Sequence, residues 1–189
     1  MDDVVGFLAR IFTDRPYILI SWPGTAMFLG TLLALASQTT AKALAIVPRT
    51  AEGLIGIVTA PFIHANFAHL VANLPPFVVL GGVILRRGDA EFLHVSLTIA
   101  LAQGVLLWLC GRRAAHMGMS GVIFGFFGWL VGIAWFTRQT DDLLIAGGVL
   151  ILYGGILAGV APARNNSSWE GHLFGLIAGI GAVWFRYNL

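Results

Sequence analysis

The chain has 189 residues, 58% of them hydrophobic and 11% charged, with a mean hydropathy of +0.85, whereas soluble domains are roughly a quarter charged. This excludes an ordinary water-soluble domain and places the protein in a membrane. A net charge of +2 with no block of five like charges gives no reason to expect nucleic acid as a partner, and one cysteine, Cys110, excludes an intramolecular disulfide.

In chain order, Asp2 and Asp3 precede the first apolar residues without a basic region or a small-residue cleavage site, so no removable signal peptide is expected. Stretches free of Asp, Glu, Lys and Arg then run over residues 16–41, 53–85, 92–111, 114–137, 143–163 and 171–185. A bilayer core about 30 Å thick needs about 20 helical residues. Five runs meet that length, and the last does so if Arg186 snorkels at its end. The expected fold is all-α, a six-helix transmembrane bundle over residues 16–189, preceded by a short segment over 1–15. Continuous runs such as "VLLWLC" lack the alternation of a membrane β-barrel.

The second run is longer than one span requires, and Pro61 marks its first part as a lead-in loop. Pro75 and Pro76 are expected to kink the helix just past Asn73. With six spans both termini share one side, together with Arg10, Arg15, Arg86, Arg87, Arg138 and Arg186. The other side collects Lys42, Arg49, Arg112, Arg113 and Arg164, too small an imbalance to orient the chain. No internal repeat or zinc-ligand spacing is visible.

Polar groups in hydrocarbon are costly, so those turned inward are functional candidates. In "HANFAHLVANLPPF", His69 and Asn73 lie four apart and share a helical face. His64 lies roughly 140° away on an ideal helix and is expected to tie down the lead-in loop. In "GMSGVIFGFFGWLVG", residues Gly118 to Gly132, the glycines Gly121, Gly125, Gly128 and Gly132 form a stripe that admits a second helix, and Ser120 opens this helix. In "EGHLFGLIAGIG" the stripe is Gly171, Gly175 and Gly179, flanked by His172. Two such helices packed backbone to backbone bring Ser120 and His172 to the same end of the bundle.

A serine becomes a nucleophile when a neighbouring base takes its proton, and neutral imidazole is the usual base near pH 7. The oxyanion formed on attack needs fixed donors, available from His69, the Asn73 amide and the Ser120 backbone N–H. Glu170 is expected in a loop, two residues from His172 and off its face, so a dyad rather than a triad is expected, with His172 stacked on Phe124. Water is expected to arrive through the polar loop "ARNNSSWE".

"HANFAHLVAN", "GMSG" and "EGHLFG", in this order across six spans, resemble the rhomboid family of intramembrane serine proteases. The resemblance implies a Ser120 nucleophile, a His172 base and an oxyanion hole of His69, Asn73 and the Ser120 amide, supported by His64, Gly118, Gly121, Phe124 and Gly175. It also implies a cytoplasmic N-terminus, a bacterial inner membrane, and substrates that are single-span membrane proteins cut in or near their transmembrane helix, with no metal or organic cofactor. The sequence departs from several members in lacking a Trp-Arg pair in residues 38–52 and in having Phe124 where some carry tyrosine. A catalytically silent relative that binds transmembrane helices is the alternative, followed by a small transporter using His64, His69, His116 and His172. The oligomeric state is left open.

Overall fold

The computed structural model describes residues 17–162 and 168–188. Among the described residues there is no β-strand, only an isolated antiparallel bridge between Ile46 and His116. Among the described residues the six long helices are α1 (Tyr17–Ala36), α2 (Phe67–Leu85), α3 (Asp89–Cys110), α4 (Ser120–Thr137), α5 (Thr140–Tyr153, extended by a 3-10 segment, Gly154–Val160) and α6 (Trp169–Asn188). By length and composition the first five helices, α5 counted with its extension, can cross a membrane. The sixth, with 20 residues, carries Glu170 in its first turn and Arg186 in its last.

Local chemistry sets the boundaries. The first apolar run breaks at Ser37, whose hydroxyl accepts from Thr40 N–H at 3.2 Å and opens a short helix, Gln38–Ala43. The lead-in expected around Pro61 is a ladder of short helical pieces, Glu52–Leu54, Gly56–Thr59 and Ala60–Phe62. Asn66 then caps α2, its Oδ1 accepting from His69 N–H at 2.8 Å. Pro75 and Pro76 fall inside α2, which runs through them as one element. The fourth apolar run becomes helical only at Ser120, because residues 111–119 form a loop held by the Ile46–His116 bridge. Glu170, expected in a loop, belongs instead to the first turn of α6, where an acidic side chain suits the helix dipole.

Helix α4 is the axis of the bundle. The protein buries 72% of its span, against 11% for α5 and 22–33% for α1 to α3. A helix apolar on every face requires such a place, and Phe126, Trp129, Leu130 and Ile133 fill the interior around it. Helix α6 docks on α4 through glycine: a Cβ at Gly175 would strike the backbone of Gly121, and one at Gly179 that of Gly125. Gly171, which continues that spacing, faces Ser168 and Leu107 rather than α4. The outer surface, including Trp22, Leu33, Ile151 and Leu152, is apolar and suited to lipid.

At the far end of α4 from Ser120, Arg87 pairs with buried Asp142 at 2.6 Å, and Thr137 donates to the other Asp142 oxygen at 2.6 Å. This joins the ends of α2, α4 and α5. Both carboxylate oxygens have partners, which a buried charge requires.

Candidate active site

Ser120 and His172 come from the first turns of α4 and α6, and the glycine contact one turn below lets the two helices approach closely enough for them to meet. His172 Nε2 lies 3.0 Å from Ser120 Oγ. The other ring nitrogen, Nδ1, is 2.9 Å from the carbonyl of Gly159, in the 3-10 extension of α5. A carbonyl only accepts, so Nδ1 carries the hydrogen and Nε2 presents a lone pair to the serine hydroxyl. A backbone carbonyl thus occupies the orienting position that a carboxylate fills in a triad. Phe124, one turn below Ser120, stacks on the imidazole.

The polar face of α2 stands opposite. Asn73 is buried; its Nδ2 donates to the His69 carbonyl at 2.8 Å, and its Oδ1 has no partner among the described residues. One hydrogen of the Asn73 amide group is thereby engaged, which leaves a second, and Asn73 lines the same cavity as Ser120 and His172. His69 is half-buried and lies against Gly118, where a Cβ would come within 2.7 Å of the ring. Gly118 has φ +117° as well, so this position excludes a side chain twice over. Ser120 is the first residue of α4, and its N–H is among those a helix start leaves without an intrahelical partner.

His64 lies outside α2 and is fully buried, its Nε2 accepting from Met119 N–H at 3.3 Å. Burial, reinforced by the nearby His69 and opposed by the Phe62 carbonyl, pushes its pKa down from 6.5 to about 4, so the ring is neutral and able to accept. Gly118 N–H donates to the Ala60 carbonyl at 2.9 Å. The lead-in ladder therefore holds the turn that aims Ser120. Although residues 38–52 lack tryptophan, Trp108 of α3 donates to the Thr50 carbonyl at 2.9 Å, and Arg49 donates to the Leu109 and Gly111 carbonyls at 3.0 and 2.8 Å. That loop is thus fastened to the end of α3.

These groups line a cavity of about 830 Å³ that also reaches Ala72, Pro76, Arg112, His116, Ile156 and Ser168. The polar loop expected to admit water falls mainly on residues 163–167, which lie outside the described residues. Sequence reasoning did not assign Gly159, Arg112 or Ser168 to the site. A backbone acceptor leaves no signature in a sequence, and Arg112 and Ser168 sit in loops without periodicity. Among the described residues no group of three His, Cys, Asp or Glu side chains could hold a metal ion.

Fold and site together define a polytopic helical membrane protein with a serine–histidine pair in a cavity inside the bundle. Residues 51–189 match the Rhomboid domain family, and the chain belongs to the rhomboid family. It is 37% identical over 146 residues to an uncharacterized protein of Mycobacterium tuberculosis, covering 72% of this chain and 61% of that one. An uncharacterized protein of Mycobacterium leprae is 39% identical over 140 residues, 69% of this chain and 55% of the relative. The chloroplastic Rhomboid-like protein 11 of Arabidopsis thaliana is 32% identical over 144 residues, 67% of this chain and 50% of the relative. The chain thus spans less than two thirds of the length of these relatives.

Proposed function

We propose that the protein is an intramembrane serine endopeptidase that cleaves single-span membrane proteins in or near their transmembrane helix. The observation that carries the reading is the 3.0 Å contact of His172 Nε2 with Ser120 Oγ, with Nδ1 engaged by the Gly159 carbonyl. Family membership and a cavity lined by Ser120, His172, His69 and Asn73 support it.

In this reading His172 Nε2 takes the Ser120 proton as Oγ attacks the scissile carbonyl carbon. The carbonyl oxygen becomes an oxyanion, stabilised by the Ser120 N–H, the second Asn73 amide hydrogen and His69. Collapse of the tetrahedral intermediate breaks the C–N bond, and the imidazolium returns its proton to the leaving amine. Water, deprotonated by His172, then attacks the acyl-serine ester, and Ser120 recovers its proton. The chain's own residues suffice for each step, so no cofactor is invoked. In this reading, as the family resemblance implies, the N-terminus is cytoplasmic and the catalytic centre opens toward the outside.

The test is labelling of the detergent-solubilised protein with a fluorophosphonate, which reacts with an activated serine. Wild type labels, while Ser120→Ala and His172→Ala do not. Label persisting in Ser120→Ala refutes the nucleophile. Loss of all labelling in folded wild type, with retained binding of transmembrane helices, favours a silent relative.

A further inference from the structure

A second serine–histidine contact lies four residues before the first on both segments and has no role in the chemistry above. His116 Nδ1 and Ser168 Oγ are 2.7 Å apart. His116 precedes Ser120 by four residues and Ser168 precedes His172 by four, so both pairs span 52 positions with the residue types exchanged. The His116 Nε2 lies 3.0 Å from the Arg112 carbonyl and must carry the hydrogen, which leaves Nδ1 to accept from the Ser168 hydroxyl. Burial lowers the His116 pKa, opposed by the Arg112 carbonyl and Glu170, and so favours this neutral form.

Both ends of the contact are anchored in the candidate site. The Ser168 carbonyl accepts from the His172 N–H at 3.1 Å, so fixing Ser168 fixes the first turn that carries the base. The His116 backbone pairs in both directions with Ile46, at 2.8 and 2.9 Å, within the loop that leads to Ser120. A second strap runs beside it: buried Glu170 Oε1 accepts from Arg112 N–H at 3.4 Å and lies 3.5 Å from Arg112 Nε. The glycine contact of α4 with α6 begins only at Gly121 and Gly175, so it does not reach the segments that precede Ser120 and His172.

We propose that the His116–Ser168 bond, backed by Arg112 and Glu170, is a clasp that sets the separation of Ser120 and His172. His116 and Ser168 are then positioning residues for the reaction, a role that rests on the protease reading. The physical reason is leverage: each partner is four residues from a reacting group in the segment that leads into its helix, and small displacements there are costly to catalysis.

The experiment is the rate of fluorophosphonate labelling of the purified full chain in detergent, with melting temperature measured in parallel. Ser168→Ala slows labelling at Ser120 about tenfold, within the range that misplacement of reacting groups produces, while Ser168→Thr, which keeps the hydroxyl, restores it. His116→Ala, which also loses the Arg112 carbonyl contact, slows labelling at least as much, and the double variant is no slower than His116→Ala alone, because the His116–Ser168 bond is already lost there. A wild-type rate in Ser168→Ala, additive losses in the double variant, or failure of Ser168→Thr to restore the rate overturns the clasp. So does Ser168-dependent label in Ser120→Ala, which would make Ser168 a nucleophile. Folded wild type that never labels at Ser120 overturns the protease reading and the clasp with it, whereas the other results overturn the clasp alone.

Discussion

The rings of Phe124 and His172 lie parallel, with planes 3° apart and centroids 4.3 Å apart. The phenyl ring limits rotation of the imidazole on one face, and the bond from Nδ1 to the Gly159 carbonyl fixes it within its plane. A Cβ at Gly159 would lie 3.1 Å from both His172 Nδ1 and Phe124 Cζ, so the three groups are in mutual contact.

Removing the platform frees the imidazole to rotate away from Ser120. Phe124→Ala should lower kcat on a transmembrane substrate by about tenfold with little change in KM, since the loss is in alignment rather than in substrate contacts. Phe124→Tyr keeps the stacking face and should stay within a few-fold of wild type. A raised KM with unchanged kcat would show that Phe124 serves substrate binding instead.

Asn73 holds one polar atom in contact with the His69 carbonyl and another, Oδ1, buried without a partner among the described residues. The Asn73 amide has a second hydrogen beyond the one given to the His69 carbonyl, and donation to the oxyanion would use it. Asn73→Ala should reduce turnover by about 10²-fold, the effect of a single oxyanion donor, while the labelled protein keeps its melting temperature. An unchanged rate would remove Asn73 from the mechanism.

The parts of this arrangement that follow a local spacing were legible in the sequence. Gly121, Gly125, Gly175 and Gly179 repeat every four residues, and that period alone brings α4 against α6. The long helices were legible because a run without charge is long or it is not, and five of them are long and apolar enough to cross a membrane. Boundaries set by single side chains were less so: the cap at Ser37 and the helical start at Trp169, which carries Glu170 out of its expected loop, depend on local hydrogen bonds and on the partner Arg112. Gly171 fits the same period yet points at Ser168, because the stripe turns away from α4 at the end of the helix. The Gly159 carbonyl and the His116–Ser168 contact join segments far apart in the chain and have no periodic trace.

The glycine stripe predicts opposite outcomes for chemically identical substitutions. At Gly175 a Cβ meets the backbone of Gly121, which cannot rotate away as a side chain could. Gly175→Ala should destabilise by about 1–3 kcal/mol or more, as overpacking does, and should lower activity by separating Ser120 from His172. At Gly147 and Gly148 a Cβ meets nothing within 4 Å. Gly147→Ala should be neutral or stabilising by up to about 1 kcal/mol through helix propensity. Resistance to unfolding in denaturing detergent measures both, and equal effects at the two positions would contradict the packing described for α4 and α6.

The burial of His64 makes a prediction about pH. Its folded-state pKa is about 4, against 6.5 for the exposed side chain. Between these values the unfolded chain binds a proton that the folded chain refuses, so stability falls as pH drops from 6.5 toward 4 and is constant, for this group, above 6.5. The full span corresponds to on the order of 3 kcal/mol. Burial of His116 acts in the same direction, so the contribution of His64 must be isolated by difference. His64→Gln retains an acceptor for the Met119 N–H but does not titrate. Its unfolding midpoint in denaturing detergent, followed from pH 7.5 to 4.5, should fall less steeply than that of wild type. The two curves should therefore converge as the solution becomes acidic, and parallel curves would mean that protonation of His64 is not resisted by the fold. Because the bond from Met119 N–H to His64 Nε2 holds the residue just before Ser120, wild-type labelling should also decline over this range more than labelling of the variant does.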